Sequence, residues 1–232
     1  MYLGRPSEVF ATHNSFIYDA KFRVLRHALN KAACKLLIKR HSGIKKLYLQ
    51  LNHYTNKIEE ALSMTVSEAI QERRSIRRFK SGETVSHEQI EKLLEAAMLA
   101  PSACNSRPWE FVVVQNREKL NELSEQHPYA KMLTTASIAI VVCALPESQE
   151  GIADGFFQQD CAAATENILL QAVELGLAGC WCGVYPKEEL LEKVRTILDI
   201  ASTPFNVIAI GIPDSTPKAR GFFEDSKVRY IK

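Results

Sequence analysis

Arginine supplies most of the chemistry that this sequence crowds together. The stretch "RRSIRRF" places Arg73, Arg74, Ser75, Arg77 and Arg78 within six positions, and "PDSTPKARGFF" adds Lys218 and Arg220 near the C-terminus. A guanidinium matches phosphate and carboxylate bidentately, so two such clusters suit an anionic cofactor. A third candidate is "APSACNSRPWEF" at 100–111, where a helical pattern stops at Pro101. It leaves backbone amides, Ser102, Asn105 and Arg107 at the edge of the apolar run "FVVV", a setting for a flat ligand with polar edges. Taken singly, each stretch also reads as something ordinary: the clusters as solvated surface, the third as a helix-to-strand loop.

Other chemistries lack their signatures. The chain has no G-x-G-x-x-G, no G-x-x-x-x-G-K-[ST], no G-x-S-x-G and no H-E-x-x-H. Its six histidines offer no triad or metal spacing. Cys180 and Cys182 form C-x-C with no second pair to complete a zinc site, so no metal is expected. Six cysteines in 232 residues, two of them inside apolar or helical patterns, fit a reduced, cytoplasmic setting better than a disulfide scaffold. No run approaches the roughly 18 apolar residues of a membrane span.

The elements that must position these residues are legible from periodicity. Residues 1–63 carry eleven Lys/Arg against four Asp/Glu, and the remainder eighteen against twenty-three. Within this basic part, 22–37 follows helical spacing with lysines and arginines off the apolar face. Nucleic acid, an anionic membrane or an organelle could be the target of such a segment. The favoured reading is a helical extension with a solvated charged face and no nucleic-acid partner. From Met64 the texture changes. Thr65 and Glu68 make a capping box ahead of "RRSIRRF". Ser86 and Gln89 make a second, with Val85 and Ile90 as a hydrophobic staple and Ile90, Leu93, Leu94, Ala97 and Met98 on one face. "EFVVVQ", "SIAIVVCAL" and "FNVIAIGI" read as strands buried on both faces. A long apolar helix is expected over 156–175, closed by Gly176, and another over "PKEELLEKVRTIL" with Pro186 at its start. This alternation points to an α/β or α+β fold with helices on both faces of a sheet. The boundary is expected between a basic extension, 1–63, and a compact domain, 64–232.

In order along the chain, "RRSIRRF", "LLEAAMLAPSACNSRPWEFVVV", "DCAAATENILLQAVELGLAGCWCGVYP", "FNVIAIGIP" and "KAR" resemble the FMN-dependent nitroreductase family. The likeness covers nearly three-quarters of the chain, from about Met64 onward. It implies an α+β fold with a central mixed sheet flanked by helices, and a homodimer with two FMN sites at the subunit interface. By the same resemblance, Arg73, Arg74, Ser75 and Arg77 contact the ribityl phosphate and the pyrimidine edge of the flavin. Pro101, Ser102 and Asn105 reach it from the partner subunit, the Gly183 backbone N–H faces flavin N5, and Lys218 and Arg220 contact phosphate. Arg107 departs from the family, which usually has glutamine there, and adds a charge near the ring. The implied activity is ping-pong hydride transfer from NAD(P)H, a transient co-substrate, to a nitroaromatic, a quinone or a related electrophile. Arg77 would stabilise the reduced flavin. Trp181 and Cys180 or Cys182 are candidates for the rim of the acceptor pocket. A same-fold dehalogenase, dehydrogenase or flavin-degrading enzyme, or a non-catalytic FMN-binding module, is the alternative.

Overall fold

A computed structural model describes residues 64–218 and 221–232. The expected extension over 1–63 and the site residue Arg220 lie outside these residues. The first described helix, α1 (Val66–Glu72), starts at the predicted box: the Thr65 hydroxyl accepts the Glu68 N–H, and the Glu68 carboxylate accepts the Thr65 N–H. The second box opens α2 (His87–Met98) in the same way, with Ser86 and Gln89 exchanging bonds. Val85 and Ile90 are both buried in one apolar cluster, as a staple requires. Met98 is not on the buried face, however. It is exposed together with Leu99, where the helix runs out before Pro101.

Four strands form one sheet in the order β1-β2-β4-β3, with β1 Trp109–Val114, β2 Ile138–Ala144, β3 Ala178–Gly183 and β4 Thr203–Gly211. Every strand pair is antiparallel. The parallel component of the mixed sheet is the bridge that sets Ser75 beside Gly179 at the outer edge of β3. Two-sided burial of the strands therefore does not mean parallel pairing here; it means that helices cover both faces. On one face, alternate residues Ala139, Val141, Cys143, Val207 and Ala209 pack with α3 (Arg117–Gln126) and α5 (Glu188–Leu198). On the other, Ile138, Ile140, Val142, Ile208 and Ile210 pack with α2 and α4 (Phe157–Glu174).

The helix α4 organises the second face. Its buried positions Phe157, Asp160, Cys161, Ala164, Thr165, Ile168, Leu169 and Ala172 recur every three or four residues, one stripe of a helix. It lies so close to β3 that a Cβ on Gly179 would come within 2.6 Å of Leu169 Cδ2, which explains a glycine in mid-strand. The strand β3, "AGCWCG", was not among the predicted strands, because two glycines and two cysteines dilute its β-character. Pro186 does not begin α5; it precedes the N-cap, Lys187.

Candidate active site

The arginine stretch runs along the free edge of β3. Ile76 is buried and its N–H donates to Gly179 O at 3.1 Å, while Ser75 and Arg77 on either side are exposed. Arg73 is half-buried and ion-paired to Glu166 of α4 at 3.2 Å. Arg74 is half-buried too. Its Nη1 donates to Arg73 O at 2.6 Å, but its Nε is buried without a partner. Arg77 Nη1 approaches Ser75 O at 3.5 Å, the outer limit of a hydrogen bond. Among the described residues, Arg73 is thus the one cation of this stretch with a carboxylate partner. Beyond β4 the chain returns alongside: Lys80 N–H donates to Ile212 O and Asp214 N–H to Arg78 O, both at 3.0 Å. That pairing starts the segment leading to Lys218, which is exposed.

Gly183 ends β3, exposed, with no atom within 4 Å of where a Cβ would stand. The following residue, Val184, donates its N–H to Phe205 O at 3.1 Å. In an antiparallel ladder the residues that bond the neighbour alternate with those that face away. Gly183, like Gly179, therefore turns its N–H and C=O outward, to the edge that carries Ser75 and Arg77. Gly183 O is taken by His127 Nε2 at 3.0 Å.

The second predicted surface, 101–107, is a tight loop built on left-handed backbone. Cys104, Asn105 and Arg107 have φ of 53, 54 and 50°, uncommon for residues other than glycine and each a source of strain. Side chains from below hold it in place. Both carboxylate oxygens of buried Asp160 accept the Ala103 N–H (3.2 and 3.1 Å), and Gln149 Nε2 joins Asp160 Oδ2 (2.7 Å) to Ser106 Oγ (2.9 Å). Within the loop, Ser102 Oγ accepts the Arg107 N–H at 3.0 Å and Asn105 Oδ1 accepts Arg107 Nε at 3.3 Å. Pro101, Asn105 and Arg107 are exposed and Ser102 is half-buried. No hydrogen bond or ion pair among the described residues joins this loop to 73–77. Both surfaces are tied to α4, the loop through Asp160 and Arg73 through Glu166, two positions about 9 Å apart along the axis and on different flanks.

Two candidates for the pocket rim change role. Cys180 and Cys182 point into the core under α3 and α5, both buried, and only Trp181 lies on the α4 face, half-buried. The shortest bond of the Cys182 thiol is to Tyr129 O, at 3.3 Å. The hydrogen bond with Cys180, and then burial, push the Cys182 thiol above its ordinary range. Burial also lifts Cys143 to about 11 and Cys161 to about 12, so neither is a thiolate near neutrality.

The nitroreductase family model matches residues 70–127 and 121–212. The chain is also 46% identical over 171 residues to a Methanothermobacter thermautotrophicus protein named "Putative NADH dehydrogenase/NAD(P)H nitroreductase", covering 73% of this chain and 88% of the relative. The chain belongs to the nitroreductase family. This makes it an enzyme of oxidoreductase type. Among nitroreductase-fold structures, the FMN-dependent nitroreductase of Clostridium difficile R20291 shares 32% identity at a TM-score of 0.65, over 71% of this chain and 98% of that one. A Desulfovibrio desulfuricans structure solved in complex with FMN shares 27% identity at a TM-score of 0.61, over 73% and 98%. No helix among the described residues is long and apolar enough to cross a membrane.

The residues that sequence reasoning missed are those acting from behind: Glu166, Asp160, Gln149 and His127. Asp160 and Glu166 sit in a helix whose apolar pattern drew attention to its other positions. An aspartate standing in step with the apolar stripe, at the first turn of that helix, was the available signal. Gln149 and His127 carried none, since each acts across a sequence separation of more than forty residues.

Proposed function

We propose that the protein is an FMN-dependent NAD(P)H oxidoreductase that reduces nitroaromatics, quinones or a related electrophile, working as a homodimer. The observation that carries the reading is the outer edge of β3: the arginine stretch is bridged to it at Gly179, one of its guanidinium groups has a buried Nε with no partner, and an outward Gly183 N–H lies about 13 Å further along the same strand. A phosphate-bearing, planar, polar-edged group fits that donor set. Arg73, Arg74 and Ser75, with Lys218 and Arg220, would hold its phosphate and ribityl chain, and Arg77 its pyrimidine edge. The relatives solved with FMN or named for it support the choice of group.

Bound FMN would supply the chemistry by accepting a hydride from NAD(P)H and yielding it to the electrophile in turn. The chain's own part is placement. Arg77 puts a fixed positive charge where negative charge grows on reduction, and Gly183 offers one donor and no side chain, so that a planar ring can approach its backbone. Pro101, Ser102, Asn105 and Arg107 form the second half of the site, which a partner copy would contribute. The hold of Asp160 and Gln149 on the loop, and the absence among the described residues of any hydrogen bond or ion pair from it to 73–77, support that division. Exposed Val66, Ile70, Met98 and Leu99 leave apolar surface for such a partner.

The test is direct. Purified protein should be yellow and release FMN, not FAD, on denaturation. NAD(P)H should bleach the flavin stoichiometrically, and a nitroarene should restore its colour. A protein that cannot be loaded with FMN removes the reading, and one that binds FMN without bleaching is a flavin-binding module rather than this enzyme.

A further inference from the structure

We infer that His127 is a positioning residue for the flavin: by occupying the carbonyl of Gly183 it leaves the Gly183 N–H as the only backbone group of that residue offered at the edge of β3. This rests on the FMN reading above. His127 follows the last turn of α3 and is 1% exposed. Its Nδ1 accepts the Tyr129 N–H at 3.2 Å, which places the ring proton on Nε2, and Nε2 donates it to Gly183 O at 3.0 Å. The ring is held further by edge contact with Tyr129, centroids 6.3 Å apart. Burial first, then the charge of Lys187, favours the neutral form that this pattern of one acceptor and one donor requires.

The consequence concerns redox state. Oxidised flavin presents N5 as an acceptor, which an N–H suits, whereas reduced flavin carries a hydrogen on N5 and is suited by a carbonyl. Both polar groups of Gly183 point to the same edge, and the residue has no side chain of its own to stand between them and a ligand. With the carbonyl committed to His127, the edge favours the oxidised ring. Without His127, the carbonyl is the nearest free acceptor for the reduced one.

The experiment uses the full-length protein loaded with FMN. His127→Phe keeps the ring volume but removes both nitrogens, and His127→Gln restores a donor near the Nε2 position. Potentiometric titration should show the midpoint potential rising in the Phe variant. A tenfold gain in affinity for reduced over oxidised FMN would read as about 30 mV. The Gln variant should return toward wild type. An unchanged potential in a Phe variant that retains FMN overturns the inference, as does an equal shift in both variants, which would indicate packing alone. A second measurement needs no variant: nitrogen-15 NMR of the wild-type protein should find the His127 proton on Nε2 and a Gly183 amide that shifts when FMN is added. A proton on Nδ1, or a Gly183 amide indifferent to bound FMN, overturns it equally. Failure of the flavin reading itself would show earlier and differently, as a wild-type protein with no flavin absorbance after loading.

Discussion

Asp160→Asn should loosen the 101–107 loop without emptying the core. Asp160 is 6% exposed and serves two donors, the Ala103 N–H and Gln149 Nε2. Asparagine is nearly the same size, and with its oxygen in the Oδ2 place it still accepts from both donors, but the charge that strengthens those bonds is gone and its NH2, in the Oδ1 place, is a buried donor facing the Ala103 N–H. A hydrogen bond to a charged group contributes about 1.5–3 kcal/mol, and a buried donor left unmet costs about 1–3 kcal/mol. Relaxation of the left-handed Cys104, Asn105 and Arg107 would recover part of this, since each such residue stores strain of order 1–3 kcal/mol. The net expectation is a loss of about 2–4 kcal/mol in urea denaturation, with FMN affinity falling as well because Ser102 and Asn105 lose their fixed geometry. Gln149→Met should couple to it: the double variant should cost less than the sum by about 0.5–3 kcal/mol. A change under about 0.5 kcal/mol in Asp160→Asn, with the loop unmoved, would refute the claim that this carboxylate holds the loop.

Four further outcomes are expected. Arg77→Gln should lower the flavin midpoint potential by roughly 20–65 mV, from about 1–3 kcal/mol of lost charge-assisted contact. Lys218→Gln should weaken FMN retention with little change in potential, because phosphate charge is nearly the same in both redox states. Potentiometry and FMN titration separate the two. Stability should rise with pH through the interval from the depressed pKa of folded His127 up to about 6.5, its unfolded value, because the unfolded chain binds the extra proton there. Denaturation at pH 5.5 and 7.5 should show this slope, and His127→Gln should reduce it. Deleting residues 1–63 should leave a folded, FMN-binding dimer; an insoluble or monomeric product would place the extension within the core.

Local signals made much of this protein readable before any fold was known. The capping boxes at Thr65 and Ser86 involve residues three apart, and the stripe of α4 repeats within one helix, so neither needs distant partners to be recognised. The arginine stretch and the 101–107 loop were visible because their residue types are concentrated within a few positions. Tertiary structure decided what those residues meet. Alternation along apolar strands is the same in either direction of pairing, so only the assembled sheet could show that the strands run antiparallel under two layers of helix. The glycine-rich β3 became a strand because β4 pairs with it and α4 lies against Gly179, which no local propensity encodes. Asp160 under the loop, Glu166 on Arg73 and His127 on Gly183 are contacts between segments 57, 93 and 56 positions apart. Such contacts exist only once the chain has closed on itself, and they are what fixes these cationic and polar residues against one helix and one strand edge.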